Sequence, residues 1–531
     1  MKIWCESSLY YAQPDADLEN EKEKSFTLSV AGNGYATYQI LLRSETPFEI
    51  REVCFLELKG VECRYNFQET IEFDKGTFQD PLSNEKQRNV EKDFTQSIWI
   101  TVNAKENCAA GRQNGIVRIL TDQGEFDTGL CLTVYGYSIP STKEAAFVTE
   151  YWMNTVNFWF RYPDKNQLDF IKDRYGCEKY SEEWWKVNKA IAENMKENRI
   201  NVLFVRTHDL LLDGGTTIDE DGRYHFRWEL FDSWIDFFIE HAQVKLFAGY
   251  HLVVQTEGKD VYMIDKNAQG GYEIVISPIG DEKTERWMEQ FLTALYEHLE
   301  EKGMKERWYQ HIEDEPAEAE SWRYARDKVR KYMPGIKCMD AIDNHQPMKR
   351  LQSEMDVWIP RVDIYEKNRA FYDYRSGQGD GRWVYTCCEP HHHNYMNKMM
   401  GFPILHNRVI GWACFAMHFS GFLHWGYNFW DPSDIYFGLN RKNICKGDGY
   451  IVYPDAQNFG IKNSIRMIST RDSAQDYELL KMLADIDPEK AFELAGRVVE
   501  NFHDFLWDEE AFWKVYQELL EALQTESEHL F

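Results

Sequence analysis

The sequence predicts an α/β protein: a (β/α)8 barrel of the TIM type, preceded by an all-β sandwich and followed by a short helical segment. Three observations carry that prediction. Residues 1–142 hold short runs rich in β-branched and aromatic residues with no helical period, the signature of sandwich strands. Residues 143–485 alternate apolar strand-like runs with amphipathic stretches, the pattern of repeated β/α units, over a length that suits such a barrel. Residues 486–531 read as helix packed on the barrel.

In the first region, Phe26–Val30, Tyr35–Arg43, Phe48–Leu58, Ser97–Val102 and Gly115–Leu120 are bounded by turn residues and read as strands. Asp122-Gln123-Gly124-Glu125 reads as a hairpin loop, and the region closes near Ser138-Ile139-Pro140-Ser141. The second region offers eight candidate strands: Ala145–Trp152, Asn201–Arg206, Lys245–Val254, Trp308–Glu313, Ile336–Ile342, Asp356–Pro360, Arg382–Cys388 and Phe422–Asn428. Between them the spacing predicts helices over Glu182–Glu197, Trp228–Ala242, Lys283–Lys302 and Glu318–Tyr332. No clear helix lies between Asp356 and Arg382, so a doubly wound open sheet is the alternative arrangement. Gly447-Asp448-Gly449-Tyr450 is a turn leading into Ile451–Tyr453. Ser464–Ala484 reads as the last barrel helix. Pro488–Phe502, opened by the capping Asp487, and Asp508–Gln524 complete the chain.

Composition excludes several functions. A net charge of −28 argues against a polyanionic partner, and no basic run offers a local exception, so nucleic acid is not expected. No apolar stretch approaches the ~20 residues of a membrane helix, and the N-terminus Met1-Lys2-Ile3-Trp4-Cys5 has no apolar leader. The 11 cysteines are odd in number and scattered, unlike a disulfide framework. Together these readings point to a cytoplasmic protein with reduced thiols. Aromatic residues reach 15%, including 18 Trp, enough for a core and also for rings that stack on sugar.

Barrel enzymes gather their chemistry at the C-terminal ends of strands. The fourth candidate strand ends in His311-Ile312-Glu313-Asp314-Glu315-Pro316, with three carboxylates in a row. Cleaving a glycoside needs a proton for the leaving oxygen and stabilisation of an oxocarbenium-like centre, and neighbouring carboxylates raise one another's pKa. Adjacent residues on an extended strand point to opposite sides, so Asp314 and Glu315 do not suit the usual pair flanking a sugar. They suit a division in which Glu315 gives the proton and Asp314 orients a substrate group. A 2-acetamido group can then be the nucleophile.

These residues, with Gly421-Phe422-Leu423-His424-Trp425-Gly426, Ser464-Ile465-Arg466, Arg471-Asp472 and Asp476-Tyr477, resemble glycoside hydrolase family 123 over about residues 145–485. The resemblance implies a (β/α)8 catalytic barrel behind a β-sandwich and exo-β-N-acetylgalactosaminidase activity by the substrate-assisted retaining mechanism. It implies Asp314 as the carboxylate that holds the acetamido N–H, Glu315 as general acid and then base, and no cofactor or metal. Its substrate would be a glycan or oligosaccharide with a terminal β-linked N-acetylhexosamine, GalNAc or GlcNAc, and a homo-oligomer stays open.

Further substrate-binding candidates follow from their places. Trp425, after the eighth strand, could floor the sugar subsite, and Tyr385, on the seventh, could bond the acetamido oxygen by analogy with family 20 hexosaminidases. His251 ends the third strand, His208 and Asp209 the second. Tyr365 follows the sixth, and Arg408 precedes the eighth. Cys387-Cys388-Glu389-Pro390-His391-His392-His393 lacks the spaced pairs of a zinc site and reads as a loop in which Asn394 and the histidines donate to hydroxyls. Two rival readings are another β-glycosidase using two separate carboxylates, for example with Glu389, and a non-catalytic carbohydrate-binding protein.

Overall fold

The computed structural model describes residues 1–18, 24–73, 76–155, 158–159, 167–254, 259–392, 394–430 and 446–529. The chain divides into two compact units: Met1–Ala146 with His391–Met417 and Ser433–Phe531, and Phe147–Pro390 with His418–Pro432.

The first unit contains a β-sandwich. One five-stranded sheet runs Lys2–Ser7, Gly34–Arg43, Thr95–Ala104, Val61–Phe73, Gly76–Ser83. The other runs Ser25–Gly32, Gly124–Ser138, Gly111–Thr121, Phe48–Leu56, Arg88–Val90. Alternate residues such as Tyr38, Ile40 and Leu42 from one sheet and Val117, Ile119, Leu130 and Leu132 from the other fill the space between them. The expected hairpin is present, with Gly124 paired to Thr121 across the two residues Asp122 and Gln123. Val61–Phe73, outside the expected strands, carries from Val61 to Phe67 the apolar/polar alternation of a strand with one solvated face, a signal that a search for β-branched and aromatic runs passes over.

The same unit takes in the C-terminal helices. Ile465–Ala484, expected as the last barrel helix, belongs here, and the reason lies in its burial. A barrel-covering helix keeps a solvent face, whereas this one is buried nearly all round. Its charges are paired. Arg466 makes two hydrogen bonds to Asp80 at 2.9 Å each, and Arg471 bonds Asp472 and Thr37. Arg408 holds Asp472 and Asp476 at 2.6–2.9 Å. Ser464 caps the helix, accepting from the Met467 amide. Pro488–Val498 stops short of the expected end because Val499–Asn501 pairs with Asp504–Phe505 as a small hairpin.

The second unit is a closed barrel of eight parallel strands: Val148–Tyr151, Val202–Val205, Leu246–Gly249, Trp308–His311, Lys337–Ile342, Val357–Pro360, Gly381–Tyr385 and Gly421–His424. Each falls within or beside its expected run, and the barrel excludes the open-sheet alternative. Val148, Val202, Phe204, Ala248, Met339, Ala341, Ile359, Trp383 and Leu423 pack its interior. Gly249 is required where strands three and four meet, since a Cβ there would lie 2.4 Å from the Gln310 side chain. Helix Glu182–Glu197 shows how the outer layer forms: Ser181 accepts from the Trp184 amide at its start, and Trp184, Val187, Ile191 and Met195 face inward at helical spacing. Between strands six and seven, where no helix was expected, two short ones occur, Val362–Lys367 and Arg369–Gly377. A break at Asn368 and the lack of a side-chain cap hid them. Between strand three and Glu282–Glu301 a hairpin, Asp260–Lys266 with Tyr272–Pro278, is inserted.

Candidate active site

The fourth strand ends at His311 in the middle of a buried ionic triad. Its Nδ1 lies 3.0 Å from Asp340 Oδ1, and its Nε2 lies 3.1 Å from Glu150 Oε1. All three side chains are fully buried. A carboxyl group at each ring nitrogen favours a ring that donates from both, an imidazolium. Burial opposes that charge, but Glu150 and then Asp340 outweigh it and push the His311 pKa up to about 10. Trp152 and Phe204 stand edge-on to this ring at 5.8 and 5.7 Å. The Trp152 indole N–H also donates to Glu150 at 2.9 Å.

Asp340, on strand five, is the busiest acceptor. Its Oδ2 takes the amides of Ile312 and Glu313 at 2.9 and 3.1 Å and the indole N–H of Trp322 at 2.6 Å. On the other side of the same segment, the Ile312 carbonyl accepts from the amides of Leu252 and Val253 at 3.0 and 2.8 Å. Residues 312–313 are therefore pinned from strand five and from the segment just after strand three together.

Asp314 and Glu315 follow at once, and both are partly exposed. Glu315 has φ +46°, a left-handed conformation that costs a non-glycine residue roughly 1–2 kcal/mol and persists only where its surroundings impose it. Burial, then the adjacent Glu315 carboxylate, then Asp340 push Asp314 well above the ordinary carboxylate range, and the His311 charge opposes them. Burial first, and repulsion from Glu315 second, thus favour the protonated form of Asp314. The Tyr385 hydroxyl donates to Glu315 Oε1 at 2.5 Å. Glu313 turns the other way: it is buried, bonds Ser321 Oγ at 2.8 Å, and burial pushes it up to about 7.

Of the expected binding residues, the structure brings several to this end of the barrel. Tyr385 touches Glu315 directly, and Trp425, partly exposed, packs on the cluster that fills the barrel interior. His251 is buried with its ring 4.8 Å from His311. Burial and then the His311 charge hold it neutral, well below its usual value. His208 lies apart, among the rings of Tyr262, Trp287 and Phe291, where burial lowers it to about 3. Asp209 is used by Arg206, 2.9 Å away, whose guanidinium lies 4.3 Å over the Tyr250 ring. Tyr365 is buried against Phe419 and donates to Asp373 at 3.1 Å. Asn394 is exposed and belongs to the first unit, as does the buried Arg408; His393 lies outside the described residues.

Sequence reasoning missed Glu150, Trp152, Asp340 and Asp343. One signal was available: Glu150 and Asp340 are acids inside otherwise apolar parallel strands, where a charge is kept only if paired. Asp343, at the end of strand five, is partly buried, and its charge reaches Asp314. His251, His311 and Asp340 bring possible metal-donor atoms within 4.8 Å of one another. Both His311 nitrogens are already given to carboxylates, and Asp340 accepts four hydrogen bonds, so the set does not fit a cation. The described cysteines are all free. Among the described residues no helix is long and apolar enough to cross a membrane.

The sequence profile of the glycoside hydrolase 123 catalytic domain matches residues 166–483. Among solved structures, a family 123 glycoside hydrolase from Clostridium perfringens, described for glycolipid glycan hydrolysis, superposes with a TM-score of 0.76. It is 15% identical, over 99% of this chain and 98% of that one. A putative glycoside hydrolase from Bacteroides vulgatus (8% identical; 87% and 79% covered) and a β-D-glucuronidase from Dictyoglomus thermophilum (9%; 84% and 67%) reach TM-scores of only 0.31 and add nothing to the fold assignment. No curated protein sequence matches the chain.

Proposed function

The chain belongs to glycoside hydrolase family 123 and is a glycosidase; from that premise we propose that it is a retaining exo-β-N-acetylhexosaminidase acting on terminal β-linked GalNAc by substrate-assisted catalysis. One observation carries this reading. Glu150 and Asp340 are sealed beneath the site around His311, and Glu313 is turned to Ser321. That leaves the adjacent Asp314 and Glu315 as the acids that emerge from strand four.

In this reading the acetamido N–H donates to Asp314. Donation to a carboxylate favours its charged form, so substrate binding drives the proton of the coupled pair onto Glu315. Glu315 then protonates the glycosidic oxygen while the acetamido oxygen closes on the anomeric carbon, giving an oxazolinium ion that Asp314 stabilises. Glu315, now a carboxylate, takes a proton from the water that opens this ring, and the configuration is retained. Trp425 offers an apolar ring for a sugar face. The glycan of a glycolipid, on which the Clostridium perfringens enzyme acts, is a natural candidate substrate.

A two-carboxylate mechanism would instead use Asp343 or Glu389 as nucleophile. Aryl β-GalNAc, β-GlcNAc, β-Gal and β-Glc, assayed with wild type, Asp314→Asn, Glu315→Gln, Asp343→Asn and Glu389→Gln, separate the readings. The expectation is turnover of β-GalNAc, losses of about 100- to 10,000-fold in Glu315→Gln, and inhibition by a thiazoline mimic of the intermediate. Cleavage of β-Gal but not β-GalNAc would sink the acetamide mechanism.

A further inference from the structure

Adjacent acids at a strand end can divide their work only if the main chain leaves the strand in one direction. The ordinary ladder does not supply this, because the parallel pairing of strands four and five ends at His311 with Met339. Beyond that point the next two amides have no strand partner and turn to a side chain, Asp340 Oδ2.

We propose that Asp340 is the positioning residue of the site: held by the His311 imidazolium, which Glu150 braces from the far side, it clamps Ile312–Glu313 and so sets the exit direction of Asp314 and Glu315. The chemistry it serves rests on the reading above; the clamp itself does not. A buried ion triad is weak as a stability device, since desolvation offsets most of its attraction, but it fixes geometry. Here every element packed on His311 contributes to that geometry. Strand one gives Glu150, and the residue just after that strand is Trp152; strand two gives Phe204, the segment just after strand three the neutral His251, strand five Asp340, and the helix Ala319–Tyr332 adds Trp322 on Asp340. The left-handed Glu315 sits two residues beyond the clamped amides, where a conformation disfavoured in isolation must be imposed.

Asp340→Asn separates clamp from packing. Its oxygen can still accept from Ile312, Glu313 and Trp322, and its amide N–H can face His311 Nδ1 once that nitrogen gives up its proton. The variant should fold, with a neutral ring and a weakened clamp. On whichever aryl β-glycoside the wild type cleaves, kcat should fall by about 100-fold, the cost of a misplacement near 1 Å, with KM little changed. Glu150→Gln, acting through His311, should give a smaller loss. Histidine-selective nitrogen NMR, above the ordinary imidazole value of about 6.5, should find His311 doubly protonated in wild type and singly protonated in Asp340→Asn. A crystal structure of Asp340→Ala, which removes all three acceptor contacts and needs no substrate, should show Glu315 out of its left-handed φ and Asp314 displaced. A folded Asp340→Asn with wild-type kcat, or an Asp340→Ala with an unmoved strand-four exit, overturns the clamp. An inactive wild type with a displaced exit in Asp340→Ala would overturn the proposed activity and uphold the clamp.

Discussion

Removing one hydroxyl, in Tyr385→Phe, tests the site with little disturbance. The Tyr385 ring is 3% exposed and packs in the barrel interior with Trp383 and Leu423, contacts that phenylalanine keeps. What is lost is the donor at 2.5 Å from Glu315 Oε1. A hydrogen bond to a charged partner is worth roughly 1.5–3 kcal/mol. At about 1.4 kcal/mol per tenfold, that predicts a loss of roughly 10- to 150-fold in kcat if the bond serves the transition state. Because the position is buried, water replaces the hydroxyl poorly. The assay is steady-state kinetics on an aryl β-GalNAc, with melting temperatures run alongside, and the melting temperature should barely move. An unchanged kcat with raised KM would refute the argument. It would mean that Tyr385 binds the substrate equally in ground and transition states, as expected of a residue on the acetamido oxygen, and does not support Glu315.

Glu313 predicts a pH dependence. Burial raises its folded pKa to about 7, above its ordinary 4.5, so the folded state holds this proton more tightly. The resulting stability is complete below about pH 4.5 and is lost as pH rises through about 7, a change on the order of 3 kcal/mol. Glu313→Gln, which cannot ionise, should flatten the slope of melting temperature across that window, and equal slopes in the two proteins would contradict the assignment. In the first unit, Asp80→Ala strands the buried Arg466 guanidinium, with the carbonyls of Lys398, Gly447 and Tyr450 left to accept from it among the described residues. The expected loss is about 3–5 kcal/mol in chemical denaturation, largely restored by adding Arg466→Met, and a cost below about 1 kcal/mol would count against the pair.

All eight barrel strands were legible because parallel strands buried on both faces read as short, mainly apolar and aromatic runs, even where Glu150, Gln310, Asp340 or Arg382 interrupts them. Asp314 and Glu315 were legible because their position follows from the strand count. Helix Ile465–Ala484 was legible as a helix and not in its placement, since its charges gave no sign that they would be buried in pairs with Asp80, Thr37 and Arg408. The triad shows where the limit lies. Glu150, His311 and Asp340 stand on strands one, four and five, far apart in the chain, and each alone looks like a polar residue in an apolar strand. Their meaning is the two distances of 3.0 and 3.1 Å that closure of the barrel creates. An acid inside a parallel barrel strand is costly unless a cation meets it. Two such acids in strands that flank or face a strand-end histidine are therefore a pairing problem with few solutions. Solved that way, Phe147-Val148-Thr149-Glu150 and Cys338-Met339-Asp340 would have pointed to His311, and through it to the two residues that carry the proposed chemistry.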